Sequence, residues 1–335
     1  MAHNILTVTL NPALDISTAT SRLEAGPKLR CAAPQFDSGG GGVNVSRVIA
    51  ELDGASRAWV AVGGSMGRVY QDLLRVEGID FLFMESPGMT RLSFNVTEEA
   101  SGDQYRFVLP GPEYSDEDAD RVLDSIGGAL EEGGLVVVSG SMPPGLQPTF
   151  MGRLAGLVQG AGARLILDSS GEPLKAAMEA GVFLVKPNLR EAQVLSGRDL
   201  PDMEARLNFA EELRARGAAE VVVISLGKDG AIVVAQDTRL HLQPPRVEVK
   251  SAVGAGDSTV AGLAWGLARG ATLEEAARLG IAAGSAAVVT TATTLCRRED
   301  VRRLLDQVQV ERLDCGLGED KGVQFANYKP GTIVL

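Results

Sequence analysis

Histidine is nearly absent from this 335-residue chain: His3 and His241 are the only two. A Ser-His-Asp or Cys-His mechanism therefore has almost nothing to work with, and acid–base chemistry falls to carboxylates. Cysteine is as scarce. Cys31, Cys296 and Cys315 are odd in number and far apart, which leaves neither a disulfide framework nor a metal-ligand spacing. A reducing cytoplasm is the expected compartment. No uninterrupted apolar run reaches membrane-spanning length. The opening Met1-Ala2-His3-Asn4 lacks the basic region and cleavage site of a secretory signal. Positive charge is also in deficit, with a formal net charge of −11. That argues against sequence-independent nucleic-acid binding, which needs a basic surface. It leaves room for anionic metabolites, because a local pocket can oppose the global sign.

What the chain does have is glycine in two clusters. Gly39-Gly40-Gly41-Gly42-Val43-Asn44 and Gly254-Ala255-Gly256-Asp257 each precede a helical pattern. A helix N-terminus offers unpaired backbone N–H groups and a positive dipole end, and glycine lets a phosphate come close. The first cluster is neither a P-loop, since no Gly-Lys-Ser/Thr follows, nor a Rossmann Gly-x-Gly-x-x-Gly opening. Only the later cluster ends in a carboxylate. An acid group beside an anion cradle can take the proton of a hydroxyl that attacks a phosphoryl group. Asp257 is therefore the candidate base, although an aspartate in a first helical turn also stabilises the dipole with no chemistry attached.

Short β-branched runs alternate with amphipathic stretches. Strands are expected over 5–10, 58–62, 135–139, 165–168, 183–186, 221–225 and 231–234, with apolar continuity that suits strands covered on both faces. Helices are expected from Val45 through Leu52, over 116–132, and most strongly over 257–269 and 273–289. The alternation implies an α/β fold with a mostly parallel, doubly wound sheet and ligands beyond the carboxyl ends of its strands. Two segments break the rhythm. Residues 18–37 and 91–108 are expected to form β-ribbons, a small sheet that covers a site, joins a second subunit, or is an ordinary surface hairpin. After about residue 310 the chain becomes glycine-rich and charged, and a C-terminal tail over 311–335 is expected outside a main domain over 1–310.

Other polar residues carry two readings each. Asp15, after Asn11-Pro12-Ala13-Leu14, suits sugar hydroxyls or an Asx-turn. Asn44 would add an amide at the same place. Lys28, Arg30, Arg91 and Arg106 lie in the ribbon segments, and Lys28 and Arg91 are the candidates for a substrate phosphate. Asn188 and Glu191 are three apart, which suits a hydrated Mg²⁺ or a helix capping box. Ser225-Leu226-Gly227-Lys228-Asp229-Gly230 is a turn between two strands that could set amides against nucleotide phosphates.

These motifs resemble, in order and over roughly residues 4–309, the PfkB-type or ribokinase-like carbohydrate kinases, and within them the isozyme 2 branch of the 6-phosphofructokinases. The shared segments include Gly39–Asn44, Gln104-Tyr105-Arg106-Phe107-Val108, Ser139-Gly140-Ser141, Asp168-Ser169-Ser170-Gly171-Glu172 and Val253–Ser258. The resemblance implies a ribokinase-like three-layer α/β sandwich with a β-sheet lid that also makes a homodimer. It implies ATP-dependent phosphorylation of fructose 6-phosphate, with Asp257 as base and Gly254, Ala255 and Gly256 as the anion hole. Asp15, Gly40, Gly41, Asn44, Arg91 and Ser141 would contact the sugar phosphate, with Lys28 reaching across the dimer. Lys186, Asn188, Ser225, Gly227 and Gly230 would hold ATP, and Glu191 would serve Mg²⁺. A K⁺ site would use backbone oxygens around Ser251, Val253, Ala287 and Thr290. Two departures touch that K⁺ loop: Ser251-Ala252-Val253 stands where Asp-Thr is common, and residues 290–294 read Thr-Thr-Ala-Thr-Thr. The glycine run carries Gly41 where 1-phosphofructokinases and tagatose-6-phosphate kinases, the alternative activities, usually have lysine. A catalytically inactive sugar-phosphate or nucleotide sensor is the alternative of a different class.

Overall fold

The computed structural model describes residues 5–290 and 294–313. His3, Cys315, residues 291–293 and the tail from 314 onward lie outside the described residues. The first half of the chain gives β1 (Ile5–Thr9), β2 (Ala13–Thr20), β3 (Gln35–Gly39), α1 (Gly41–Glu51), β4 (Arg57–Val62), α2 (Gly64–Val76), β5 (Asp80–Glu85), β6 (Arg91–Glu98), β7 (Gln104–Val108), α3 (Asp116–Gly127) and β8 (Leu135–Ser139). The second half gives α4 (Thr149–Gly160), β9 (Arg164–Asp168), α5 (Gly171–Ala180), β10 (Val182–Val185), α6 (Leu189–Ser196), α7 (Met203–Ala215), β11 (Ala219–Ser225), β12 (Ala231–Ala235), β13 (Thr238–Gln243), α8 (Ala255–Ala268), α9 (Leu273–Val288), α10 (Arg298–Leu305) and β14 (Gln309–Arg312).

A ten-stranded sheet runs β14-β13-β12-β11-β10-β9-β8-β1-β4-β5. Its pairs from β11 across to β5 are parallel, and the last three at the other edge are antiparallel. The central strands are apolar on both faces because both faces are covered. In β8, Val136 and Val138 pack with Trp59, Phe150 and Leu154 on one side, while Leu135 and Val137 pack with Val48, Val260 and Ala283 on the other. One layer therefore holds α3, α4, α5 and α7, and the other holds α1, α8, α9 and α10. Helices α8 and α9 approach unusually closely. A Cβ added at Gly262 would lie 2.7 Å from the Gly280 Cα, so glycine at this crossing sets the distance between the two axes. Capping boxes start α3 (Ser115 with Asp118) and α9 (Thr272 with Glu275).

The small sheet has the order β3-β2-β6-β7. Its outer hairpin, β6 with β7, falls where alternation placed it. The expected ribbon over 18–37 needs correcting. The strand begins earlier, at Ala13, pairs in parallel with β6 in register Asp15↔Ser93, and ends at Thr20; residues 21–34 form no regular element. Pro27 and Pro34 remove two ladder donors from that stretch, and Gly26 adopts φ +108°. Helix α3 also stops at Gly127, well short of residue 132, where Gly127-Gly128 weakens continuation. The expected boundary at 310 falls inside β14, which pairs with β13 as far as Leu240↔Arg312.

Candidate active site

The chain leaves β1 to one side for β4 and β5 and to the other for β8 and its successors, so the order reverses at β1. Ligands of open α/β sheets bind at such a reversal, beyond the carboxyl ends of the strands. The ends of β1, β8, β9, β10 and β11 deliver Asn11, Ser139, Asp168, Lys186 and Ser225 to that edge. Parallel strands present all their carboxyl ends together, which is why residues distant in sequence meet here.

Asp257 lies in the first turn of α8. Gly254 caps the helix at φ +74°, a left-handed conformation that a side chain would strain. The first helical donor found is Ser258 N, to Gly254 O at 2.8 Å. The N–H groups of Ala255, Gly256 and Asp257 thus have no acceptor within the helix, and the dipole adds positive potential. The Asn44 amide donates to Asp257 Oδ2 at 2.8 Å, and the Ser139 hydroxyl donates to Oδ1 at 3.0 Å. Burial pushes the Asp257 carboxyl up to about 6; the Asp168 charge pushes the same way, while the Asn44 and Ser139 hydrogen bonds and Lys186 hold it down. At neutral pH the group is ionised yet basic enough to accept a proton. Gly41 is packed on the same cluster: a Cβ there would come 2.3 Å from Ser139 Oγ.

Lys186 is buried and pairs with Asp168 at 3.1 Å. A Cβ on Gly256 would sit 3.8 Å from Lys186 Nζ and 3.9 Å from Asp168 Oδ2, so this ion pair faces the glycine loop. Asp168 was not among the expected site residues. Its sequence signals were its place as the last residue of a strand and its position at the head of the shared Asp168-Ser169-Ser170-Gly171-Glu172 segment.

A cleft of about 620 Å³ opens beside this cluster, lined among others by Asn11, Arg91, Ser141, Ser169 and Ser170. Arg91 donates through Nε to the Asn11 carbonyl at 3.2 Å and through Nη1 to the Leu109 carbonyl at 3.3 Å. Asn11 in turn donates to Ser141 Oγ at 3.2 Å and to the Met142 carbonyl at 3.3 Å. Asp15 lies on β2, flanked in register by Asp37 and Ser93. Burial raises its carboxyl to about 6; Arg91 and Arg106 pull it down, and Asp37 pushes it up. The Gly39 backbone rests on it, since a Cβ there would meet Asp15 Oδ2 at 2.1 Å. Gly40, at φ +132°, caps the adjoining helix α1. Lys28 is exposed in the irregular stretch and does not line this cleft.

A second cleft, about 320 Å³, is lined by Ser170, Gly171, Asn188, Arg190, Glu191 and Val194. Asn188 and Glu191 form the capping box of α6: Glu191 N donates to Asn188 Oδ1 at 2.9 Å, and Asn188 N donates to Glu191 Oε2 at 2.8 Å. Ser225 is bridged to Asn188, and the turn with Gly227 and Gly230 follows it. Among the described residues no group of three or more His, Cys, Asp or Glu could hold a metal ion. Ser251 is drawn to the end of α9, where Lys250 N and Ser251 N donate to the Val288 carbonyl, and Val253 N donates to Ser251 Oγ at 3.2 Å. The Ala287 carbonyl accepts from Thr290 Oγ1 at 2.8 Å and from Thr290 N at 3.2 Å, and is already in use there.

A helix N-terminus whose first amides have no acceptor within the helix, a buried carboxylate beside it and a polar cleft at the strand ends give a ribokinase-like α/β fold a place suited to an anionic ligand. The chain belongs to the pfkB family of carbohydrate kinases, whose family profile matches residues 8–300. It is 42% identical over 301 residues to the ATP-dependent 6-phosphofructokinase isozyme 2 of Escherichia coli K12, spanning 90% of this chain and 97% of that one. The structure of Escherichia coli phosphofructokinase-2 in complex with potassium matches with a TM-score of 0.88 at 40% identity, over 92% of this chain and 99% of that one. The same protein in complex with fructose-6-phosphate matches with a TM-score of 0.86 at 39% identity, over 92% and 99%. This chain is a sugar-phosphate kinase, and its mixed α/β architecture with a separate small sheet agrees with the fold expected from the motifs. Among the described residues no helix is long and apolar enough to cross a membrane.

Proposed function

We propose that this chain transfers the γ-phosphoryl group of ATP to the C1 hydroxyl of fructose 6-phosphate, giving fructose 1,6-bisphosphate and ADP. The observation that carries the proposal is the Asp257 carboxylate, held by Asn44 and Ser139 at the free N-terminus of α8. Asp257 takes the C1 hydroxyl proton as the new O–P bond forms and the bond to the ADP oxygen breaks. The amides of the Gly254-Ala255-Gly256 loop face the equatorial phosphoryl oxygens, whose negative charge they offset.

Asp15, Gly40, Gly41, Asn44, Arg91 and Ser141 bind the sugar phosphate in this reading. Support comes from the 620 Å³ cleft shared by Arg91 and Ser141 and from the contact of Asp15 with the glycine run. Lys186, Asn188, Ser225, Gly227 and Gly230 bind ATP, with Lys186 near the transferring group because it faces Gly256. Bound with ATP, Mg²⁺ neutralises phosphate charge. Glu191 fits this ion through its waters: Oε2 is engaged in the capping box, and the residue lines the second cleft. A K⁺ site would draw on the backbone oxygens of Ser251, Val253, Ala287 and Thr290; support comes from the hydrogen bond of Ser251 N to the Val288 carbonyl, which joins the two segments, while Thr290 already uses the Ala287 carbonyl. A homodimer through the small sheet is supported by its exposed Phe36, Tyr105 and Phe107, and would bring the partner's Lys28 toward the cleft. We place the enzyme in the cytoplasm, where ATP and sugar phosphates are available and an exposed free thiol such as Cys31 stays reduced.

The choice of sugar rests on Gly41, which stands where the 1-phosphofructokinases and tagatose-6-phosphate kinases are expected to carry lysine. Coupled ADP release with Mg-ATP and a panel of fructose 6-phosphate, tagatose 6-phosphate, fructose 1-phosphate and free hexoses tests the proposal. A strong preference for fructose 6-phosphate is expected. Preference for another acceptor overturns the sugar assignment, and no sugar-dependent ADP release would favour a sensor.

A further inference from the structure

Ser139 stands at the joint between the two halves of the site. It ends β8, one residue before Gly140 at φ +104° and two before Ser141 in the cleft wall. It is buried, so its hydroxyl has few competing partners. That hydroxyl donates to Asp257 Oδ1 at 3.0 Å, while Asn44 donates to Oδ2 at 2.8 Å. Each carboxylate oxygen thus receives one neutral donor and keeps a lone pair for a substrate proton. Gly41 closes on Ser139 from the other side, leaving less than a carbon's room beside Oγ.

We propose that Ser139 is a positioning residue for phosphoryl transfer: with Asn44 it clamps the base in its reactive orientation and holds it ionised. The inference rests on Asp257 being the base. Hydrogen bonds to a carboxylate favour its charged form. The other charged groups facing it are Asp168, which opposes ionisation, and Lys186, which supports it. Ser139 is the neutral donor on the β8 side. Removing its hydroxyl leaves Asp257 with one orienting partner, free to rotate about its side-chain torsions, and makes it harder to ionise. The contact of Gly41 with Ser139 gives the glycine run a second duty besides admitting a ligand, which is to stop the serine rotating away.

The test is a double-mutant cycle between Ser139→Ala and Asp257→Asn, read as pH profiles of turnover. Ser139→Ala should lower kcat on the order of tenfold, the range for a hydrogen bond to a charged group. It should move the acid limb of the kcat profile upward by about one pH unit, with the KM for sugar and for ATP little changed. Ser139→Cys, which keeps a weak donor of similar shape, should fall between the two. In an Asp257→Asn background Ser139→Ala should cost almost nothing further. An unmoved acid limb, a loss confined to KM, or an equal loss in both backgrounds overturns the inference. Near-normal turnover by folded Asp257→Asn alone would instead overturn the assignment of the base.

Discussion

Two carboxylates flank the site, and both are raised to about 6 by burial, yet they are held in opposite ways. Asp257, on the rigid side, is fixed by neutral donors from α1 and β8 at 2.8 and 3.0 Å. Asp15, on the small sheet, answers mainly to charge: Arg91 lowers it most, Asp37 raises it, and Arg106 and a Ser93 hydrogen bond lower it further. Short neutral hydrogen bonds are directional and barely respond to salt. Charge–charge terms on a half-exposed sheet are long-ranged and screened. The rigid side therefore suits an orientation-critical proton transfer, and the small sheet suits recognition of a charged sugar phosphate.

The sharpest way to break this comparison is Asp257→Asn. The amide cannot take a proton, so turnover should fall about 10²–10⁴-fold, the range for a positioned general base. Binding of ATP and of fructose 6-phosphate, read by calorimetry, should survive. The matching change on the other side is Arg91→Ala. It should raise the KM for the sugar phosphate on the order of tenfold or more, the worth of a charge-assisted hydrogen bond. Its kcat should change much less, and loss of kcat alone would erase the distinction between the two sides.

The smallest expected effect is on pH. On the proposed role of Asp257 as the base, turnover should fall as pH drops through about 6, where the carboxyl gains its proton. Stability should move the other way. A carboxyl raised from 3.8 to about 6 binds more protons folded than unfolded between those values, so its ionisation in the fold costs stability as pH rises through that window. The cost is at most about 3 kcal/mol per group above pH 6. Asp257→Asn should therefore melt higher than the parent at pH 7.5 and nearly the same at pH 4. Equal melting points at both values would mean that burial does not strain the ionised base.

Much of this was legible beforehand. All seven expected strands formed within two residues of their expected ends, because strands covered on both faces read as unbroken apolar runs. The two glycine clusters announced helix N-termini, as Gly40 and Gly254 do. The capping box at Asn188 and Glu191 was visible in their spacing and is what the structure contains. The edge strands β5 and β14, and β13 beside β14, were not legible, because their partly exposed patterns mix with loop composition. The early start of β2 was hidden by Asp15, a polar residue within a strand. The Asn44 side chain donates to Asp257, a contact across 213 positions of sequence that no local pattern announces.

The sequence by itself determined the local elements and the class of chemistry. Hydrophobic period, glycine placement and the near absence of histidine act within a few residues or over composition as a whole, and both can be read without a fold. Only the tertiary structure decided who touches whom at the strand ends: Ser139 and Asn44 on Asp257, Asp168 on Lys186, Asn11 between Arg91 and Ser141. Those contacts come from the order in which parallel strands are laid side by side. That order is fixed by packing two helical layers across the whole sheet, a long-range interaction that no short window of sequence contains.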